Sequence, residues 1–305
     1  MATPTTSIFQ RPLWATIFAL TAAIAWGWAY PLIKLGFAEF GITQAMTGSK
    51  MLFAGIRFGL SGLIVLSIAA ATKRSFKVAK PANWSYILLF ALLNTTLHYT
   101  FFYIGMSYSE GARAAILNSL GTFLLVLLAC IFFKTDRLTT KKILGCAIGI
   151  TGILILNVGK SRGGQFSFMG DGMIILNALC SAFAGLMTRG LSRRVDVFVG
   201  TGYSLFFGGV MLVIPSILIG GILPQITING IIILGLLTVI STLGFTLYNK
   251  LLSCNPVGKI AIFNSLIPVV GTITSCLCLG EPFHLKYFVA ALLAMCGIYI
   301  INRGK

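Results

Sequence analysis

The segment AILNSLGTFLLVLLACIFF, residues 115–133, is a long apolar run that contains one polar pair, Asn118 and Ser119. A second segment, AIFNSLIPVVGTITSCLCL at residues 261–279, carries Asn264 and Ser265 at the corresponding place. Each segment is long enough to cross the roughly 30 Å hydrocarbon core of a bilayer as a helix. The recurrence therefore predicts a duplicated membrane protein in which both copies place amide groups within the membrane.

The composition of the chain is that of a polytopic membrane protein. Of its 305 residues, 57% are hydrophobic and 10% are charged, and the mean hydropathy is +0.95. Helices satisfy their own backbone hydrogen bonds in lipid, and long continuous apolar runs do not show the alternation of barrel strands. We expect an all-α fold with ten transmembrane helices, at residues 13–33, 46–71, 84–106, 112–133, 141–159, 169–188, 198–220, 226–247, 258–279 and 285–302.

The formal net charge of +17 is explained by membrane orientation. The basic residues lie in short loops, with no aromatic-interleaved basic surface of the kind that binds nucleic acid, so no nucleic-acid partner is expected. With a cytoplasmic N-terminus, sixteen Lys and Arg fall on the inner side, six fall on the outer side and Arg57 lies within a helix. The positive-inside rule then predicts a multi-pass protein of the cytoplasmic membrane with both termini inside the cell.

The repeat extends well beyond the Asn-Ser pair. An offset of 145 residues matches Tyr103 with Tyr248, Gly152 with Gly297 and Asn157 with Asn302, among other pairs. We expect a cytoplasmic N-terminal segment at residues 1–12, a first five-helix repeat at 13–160 and a second at 161–305. Because five is odd, the two repeats have opposite orientations, as in secondary transporters whose substrate site lies near the membrane midplane.

Several motifs resemble the EamA-like, ten-helix branch of the drug/metabolite transporter superfamily. They are AWGWAYPLIK at residues 25–34, RF at 57–58, NPVGKIAIFNSLIPVVG at 255–271, LGE at 279–281 and the helix that contains Gly297. The resemblance implies export of a metabolite or an amino acid by alternating access. The first repeat departs from the family pattern, because Thr122 stands where the second repeat has Pro268, and KTDRL at 134–138 replaces Gly-Glu-Arg-Leu.

The acidic residues argue against one class of exporter. All six, Glu39, Glu110, Asp136, Asp171, Asp196 and Glu281, fall in loops or at predicted helix ends. A proton-coupled exporter of lipophilic cations needs a carboxylate within the membrane, which stabilises the desolvated cation. We therefore expect a cavity for neutral, zwitterionic or anionic solutes.

One cation, Arg57, is predicted within a membrane span, where burial costs at least about 2.5–3.5 kcal/mol. It either binds a substrate carboxylate or is a structural cation that donates to helix carbonyl groups.

Two pairs of polar or aromatic residues are predicted to share a helical face. His98 lies four residues after Asn94, and Tyr30 lies four residues after Trp26. We expect the histidine to be neutral because burial disfavours its charged form. The predicted substrate-binding residues are Trp26, Tyr30, Asn94, His98, Phe102, Asn118, Asn177, Tyr203, Tyr248 and Asn264, with Arg57 as a possible charge partner.

These features predict a secondary transporter that exports a small polar metabolite, with an amino acid as the first candidate, across the cytoplasmic membrane by alternating access. A facilitative pore for small neutral or zwitterionic solutes, and a transporter of nucleotides or organic anions, remain alternatives. An enzyme is not expected, because no paired acid, metal cluster or activated nucleophile is apparent. The seven cysteines show no metal-ligand spacing, so no metal or cofactor is expected. The expected partners are a small-molecule solute and membrane lipid, and the sequence does not define an oligomeric state.

Overall fold

The structure, a computed structural model, describes residues 7–78, 80–132, 138–155, 166–255, 260 and 262–302. Within these ranges the regular secondary structure is helical, with no strand. We number the main helices α1 (Pro12–Glu39), α2 (Thr47–Ala71), α3 (Asn83–Tyr108), α4 (Gly111–Phe132), α5 (Thr140–Ile155), α6 (Phe168–Ser192), α7 (Val197–Leu218), α8 (Ile228–Cys254), α9 (Leu266–Leu279) and α10 (Leu285–Asn302).

The all-α polytopic architecture is confirmed. Seven of the described helices, α1 to α4 and α6 to α8, are long and apolar enough to cross a membrane. Helices α5, α9 and α10 are shorter within the described residues. The predicted spans at residues 141–159 and 258–279 each include residues outside the described ranges, as do Asn157 and most of the KTDRL segment. The count of ten crossings stays a prediction.

Specific residues define where several helices begin and end. Asp196 precedes α7 and accepts hydrogen bonds from the backbone N–H groups of Phe198 and Val199, at 2.9 and 3.4 Å. Thr227 caps α8 in the same way, through Gly230 N at 2.9 Å. Gly280 ends α9 with φ of +62°, a left-handed conformation in which glycine avoids the steric penalty of a Cβ. These caps satisfy backbone groups that helix ends leave unpaired.

Helices of the first half pack against helices of the second half in a reciprocal pattern. Helix α2 packs against α7 and α5 packs against α10, so helices at corresponding positions meet. Helix α1 contacts α8 and α9, and its counterpart α6 contacts α3 and α4. Contacts that recur when the two halves are exchanged are the pattern that a two-fold axis produces.

The contact between α5 and α10 is made by small residues. A Cβ atom added at Gly145 would lie 2.5 Å from the carbonyl oxygen of Gly297, and one added at Gly152 would lie 2.8 Å from that of Ala290. Gly145 corresponds to Ala290 in the repeat and Gly152 corresponds to Gly297, so these contacts are reciprocal. Small residues let the two backbones approach closely, as in other membrane helix pairs.

Three helices depart from the unbroken helices that the apolar runs predict. Helix α4 is interrupted at Ser119, and a 3-10 turn, Ile262–Ser265, precedes α9. Both irregularities fall on the repeated Asn-Ser pair. Pro268 lacks the N–H that would bond to the carbonyl of Asn264, which accounts for the turn before α9. Helix α4 carries Thr122 at that position and is interrupted nonetheless. The third irregularity is a π-helical segment of α3 at Leu92–Leu97.

Candidate functional site

A cavity of about 140 Å³ lies among α1, α2, α3, α4, α6, α8 and α9. Its volume is close to the roughly 150 Å³ of an engineered apolar cavity that holds benzene. Sites for drug-sized ligands are larger, at about 300–1,000 Å³. The cavity therefore has the dimensions of a small solute.

Most residues predicted to bind substrate lie at this cavity, and both halves of the chain contribute. The lining includes nine of the predicted residues, namely Trp26, Tyr30, Arg57, Asn94, His98, Phe102, Asn118, Tyr248 and Asn264. The helical spacing explains two of the pairs, since side chains four residues apart share a face. Tyr30 also contacts Phe102, with ring centroids 5.5 Å apart, so α1 and α3 form one continuous aromatic wall.

The π-helical segment of α3 holds the polar part of that wall. Asn94 lies within the segment and donates from Nδ2 to Ser204 Oγ of α7 at 3.2 Å. Thr96, also in the segment, donates to the carbonyl oxygen of Gly208 at 3.1 Å. His98 begins the regular helix that follows. Isolated π-helical turns often occur at functional sites, and this one anchors the wall to α7.

The two repeated asparagines have different hydrogen-bond partners. Asn118 Oδ1 accepts from Asn177 Nδ2 at 2.5 Å, whereas Asn264 Nδ2 donates to the hydroxyl of Tyr248 at 2.7 Å. The repeat mate of Tyr248 is Tyr103, which does not line the cavity and instead accepts from Arg57. The site is therefore asymmetric although the fold around it is repeated.

Two predicted residues do not line the cavity. Asn177 is fully buried behind Asn118 and reaches the site only through the hydrogen bond between them. Tyr203 of α7 packs against Trp84 and Phe207, with ring centroids 5.0 and 5.8 Å away. It belongs to an aromatic cluster near the start of α3, because α7 turns this face away from the central helices. Tyr203 was predicted to bind substrate because of its polar hydroxyl group, but it lies on a face of α7 that does not line the cavity.

The sequence reasoning missed several lining residues. They are mostly small polar or aromatic groups, including Tyr99, Ser119, Thr122, Ser181, Thr188, Phe245 and Asn249. Asn249 donates to Thr201 Oγ1 at 3.1 Å and follows Tyr248 directly along α8. Ser181 and Thr188 are seven residues apart on α6, a spacing that places both on one helical face. This spacing could have identified Ser181 and Thr188 from the sequence as candidates for the lining.

Two ring nitrogen atoms at the cavity have no hydrogen-bond partner in the part of the chain that the structure describes. Trp26 Nε1 and His98 Nδ1 are buried and make no hydrogen bond to any described residue. The indole of Trp26 rests on the α8 backbone, since a Cβ added at Gly244 would lie 2.5 Å from Nε1. A buried polar atom without a partner costs about 1–3 kcal/mol. Since the N–H edge of Trp26 packs on α8, the nitrogen that favours a polar ligand in the cavity is that of His98.

The cavity has one charged residue in its described lining, Arg57. The five acidic residues that the structure describes lie at helix ends and have other partners: Glu39 with Thr227, Glu110 with Tyr287, Asp171 with Arg113, Asp196 at the start of α7 and Glu281 with Lys34. Asp136 lies outside the described residues. Within the described part of the chain, no group of three His, Cys, Asp or Glu side chains is placed to hold a metal. The electrostatics of the cavity therefore favour an anionic or zwitterionic solute over a cation.

The cavity is closer to one end of the bundle than to the other. Its lining includes Leu252, two residues or about 3 Å from the end of α8, and Thr188, four residues or about 6 Å from the end of α6. At the opposite end, Glu281 accepts hydrogen bonds from Lys34 of α1 and from the first backbone N–H groups of α4. Residues of both halves thus close that end above the cavity.

The family model for EamA-like transporters matches the chain twice, at residues 13–158 and 168–303. The chain belongs to the EamA-like transporter family. Each match covers five of the ten helices described above. Family membership identifies the chain as a membrane transporter rather than an enzyme.

Similar proteins are transporters by name. An uncharacterized transporter of Bacillus subtilis, YvbV, is 26% identical over 92% of this chain and 88% of its own length. A probable amino-acid metabolite efflux pump of Salmonella typhimurium is 27% identical over 92% of both chains. A probable terminal-alkyne amino-acid exporter of Streptantibioticus cattleyicolor is 23% identical over 96% of this chain and 94% of its own. These relatives cover nearly the full length of the protein.

A solved crystal structure of a protein shares the fold. It superposes with a TM-score of 0.72 at 16% sequence identity, over 94% of this chain and 95% of the other. The helical arrangement is therefore one that another chain of the same size adopts.

Proposed function

We propose that this EamA-like transporter is a secondary transporter that exports a small polar metabolite, with amino acids as the first substrate class, across the cytoplasmic membrane. The observation that carries the proposal is the small cavity lined by amide and aromatic groups, with Arg57 as its one described charged residue. An amino acid has a carboxylate, hydrogen-bonding groups and a side chain of suitable size for such a lining. Two of the relatives are named as amino-acid efflux or export proteins, which supports the same class.

The proposed mechanism is alternating access by rocking of the two five-helix halves, residues 13–160 and 161–305. The reciprocal packing of α2 with α7 and α5 with α10 supports a two-fold relation between the halves. The solute would be held between Asn118 of the first half and Asn264 of the second. Both termini would lie in the cytoplasm, in agreement with the distribution of Lys and Arg.

A counterflow assay in proteoliposomes tests the proposal. Vesicles are loaded with one unlabelled solute from a panel of amino acids, nucleosides and organic acids, and uptake of the same labelled solute is followed. We expect transient accumulation for at least one amino acid, since a carrier exchanges solutes across the membrane. If no amino acid accumulates but a nucleoside or an organic acid does, the substrate belongs to one of the alternative classes.

The same assay separates a carrier from a pore. A carrier returns faster with a solute bound, so unlabelled solute on the far side accelerates flux. A pore shows no such acceleration and equilibrates the label without transient accumulation. The closed end of the bundle at Glu281 favours the carrier, because a continuous pore requires an opening at both ends.

A further inference from the structure

Arg57 is a buried cation whose hydrogen-bond partners are all neutral. Its residue exposure is 1%, and it lies in the middle of α2. Nε donates to the carbonyl oxygen of Leu237 at 3.1 Å and to Ser241 Oγ at 2.7 Å, while Nη1 donates to the hydroxyl of Tyr103 at 2.9 Å. The sequence predicted two roles for Arg57, and these contacts match the structural one, in which the cation donates to carbonyl and hydroxyl groups of neighbouring helices. They orient the guanidinium but do not neutralise its charge.

Arg113 differs from Arg57 because a carboxylate neutralises its charge. Arg113 is also buried, and it forms a bidentate ion pair with Asp171, with both N–O distances at 2.7 Å. The ion pairs among the described residues join Arg113 to Asp171, Lys34 to Glu281 and Arg74 to Asp196. Arg57 takes part in none of them. A charge buried without a counter-ion is unfavourable, so its site favours binding of an anion.

The geometry leaves part of the guanidinium available for a ligand. Nε and Nη1 are occupied by protein acceptors, and Nη2 makes no hydrogen bond to a described residue. The rings of Phe58 and Tyr99 flank the group, with centroids 4.8 and 6.0 Å from its central carbon. Because Arg57 borders the cavity, an anion that enters the cavity can reach it without crossing another layer of protein.

We propose that Arg57 binds the carboxylate of the transported solute. The inference rests on the proposed function and specifies it, because it restricts the substrate to solutes that carry a carboxylate or an equivalent small anion. A guanidinium is permanently charged and donates in a planar arrangement that suits a carboxylate. The aromatic and amide groups opposite, such as Trp26, Tyr30 and Asn118, would then contact the remainder of the solute.

Matched pairs of solutes test the proposal on the unmodified protein. Binding to purified protein is measured by titration calorimetry with L-alanine and L-alaninamide, L-leucine and L-leucinamide, and L-phenylalanine and L-phenylalaninamide. The members of each pair differ in the carboxylate alone. We expect the acid of at least one pair to bind, and its amide to bind at least tenfold more weakly.

Two variants on the same helix assign the preference to Arg57. Arg57→Gln removes the charge at the cavity and should reduce the acid-to-amide preference to less than threefold. Lys50→Gln is the matched control, because Lys50 is a second buried cation of α2, bonded to the carbonyl oxygen of Gln44, and does not line the cavity. It should keep the full preference. Thermal unfolding of each variant shows whether it is folded. If Arg57→Gln does not fold, the acid and amide pairs on the unmodified protein still test whether the site recognises a carboxylate.

The outcomes distinguish a failure of the role proposed for Arg57 from a failure of the proposed function. Equal binding of acid and amide by the unmodified protein would overturn the role of Arg57 and leave amino-acid transport intact. Counterflow of a solute that has no anionic group, with no binding by any acid, would overturn the role of Arg57 and the amino-acid substrate class, and would leave only secondary transport of another metabolite. Retention of the preference in a folded Arg57→Gln variant would also overturn it. If no solute of the whole panel is bound or exchanged, the proposed function fails and the assignment of Arg57 fails with it.

Discussion

The ammonium group of Lys34 on α1 lies 2.8 Å from the carboxylate of Glu281, which immediately follows the left-handed Gly280 at the end of α9. The same carboxylate accepts from the backbone N–H groups of Gly111 and Ala112 at 2.8 and 3.1 Å. One side chain of the second half thus holds two helices of the first half. An anion at a helix N-terminus also interacts favourably with the helix dipole.

Glu281→Gln should loosen this end of the transporter. The variant loses an ion pair and weakens two hydrogen bonds to a charged acceptor, together about 2 kcal/mol, or roughly 30-fold in the equilibrium between its closed and open forms. A cysteine at the buried cavity residue Ile33, in a background without the native cysteines, should react faster with an impermeant thiol reagent added outside.

Glu39→Gln is the control for this measurement. Glu39 lies at the same end of α1, but it accepts a hydrogen bond from Thr227 at the start of α8 and makes none with the described residues of α4 or α9. Its effect on labelling of the cysteine should be small. Equal labelling in Glu281→Gln and in the unmodified background would mean that other contacts hold this end closed.

The two cavity asparagines should respond differently to replacement by leucine. Asn118→Leu removes the acceptor of the Asn177 Nδ2 group, which is fully buried. Asn177 Oδ1 has no partner among the described residues, so the variant would leave the whole amide unpaired. We therefore expect the free energy of unfolding to fall by about 1–3 kcal/mol. Asn264→Leu leaves only the hydroxyl of Tyr248 at the cavity, where water replaces the lost bond. We therefore expect folding to be nearly unchanged in Asn264→Leu alone.

Transport by the asparagine variants should also depend on the side from which solute is offered. Unfolding temperature and initial rates in both directions in proteoliposomes measure the two effects separately. Wild-type rates from either side in both variants would make the asparagines packing residues rather than ligands.

Labelling of single cysteines tests the predicted orientation. Ser75, in the exposed loop that follows α2, is predicted to face the cytoplasm, and Thr43, in the loop before α2, is predicted to face outward. An impermeant thiol reagent added to intact cells should label Thr43→Cys and should reach Ser75→Cys only after permeabilisation. The reverse pattern would invert the whole topology.

The contact between α5 and α10 should tolerate no added methyl group. In Gly145→Ala the new Cβ would lie 2.5 Å from a backbone oxygen, and overpacking of this kind costs about 1–3 kcal/mol. Gly235 of α8 is the matched control, because a Cβ added there meets no atom within 4 Å. Gly235→Ala should be neutral or stabilising by up to about 1 kcal/mol, since alanine has the higher helix propensity. Unfolding temperatures in detergent give the comparison.

The sequence predicted the helical architecture well because each helix must be both long and apolar to cross a membrane. It also placed Trp26 with Tyr30 and Asn94 with His98, since helical spacing alone decides which side chains share a face. Tyr203 could not be excluded, because the face of α7 that meets the central helices depends on how α7 packs against α2. The interruption of α4 at Ser119 was equally hidden, since Thr122 has none of the effect of a proline on the backbone.

The reciprocal contact between α5 and α10 has an energetic consequence for any motion of the two halves. Each helix presents small residues to the other at corresponding positions, so exchanging the roles of the halves keeps contacts of the same kind. A contact of this kind adds the same free energy to an inward-facing and an outward-facing arrangement, and it favours neither. The balance between the two arrangements is then set by features in which the halves differ, among them the pairing of Asn118 with Asn177 and of Asn264 with Tyr248.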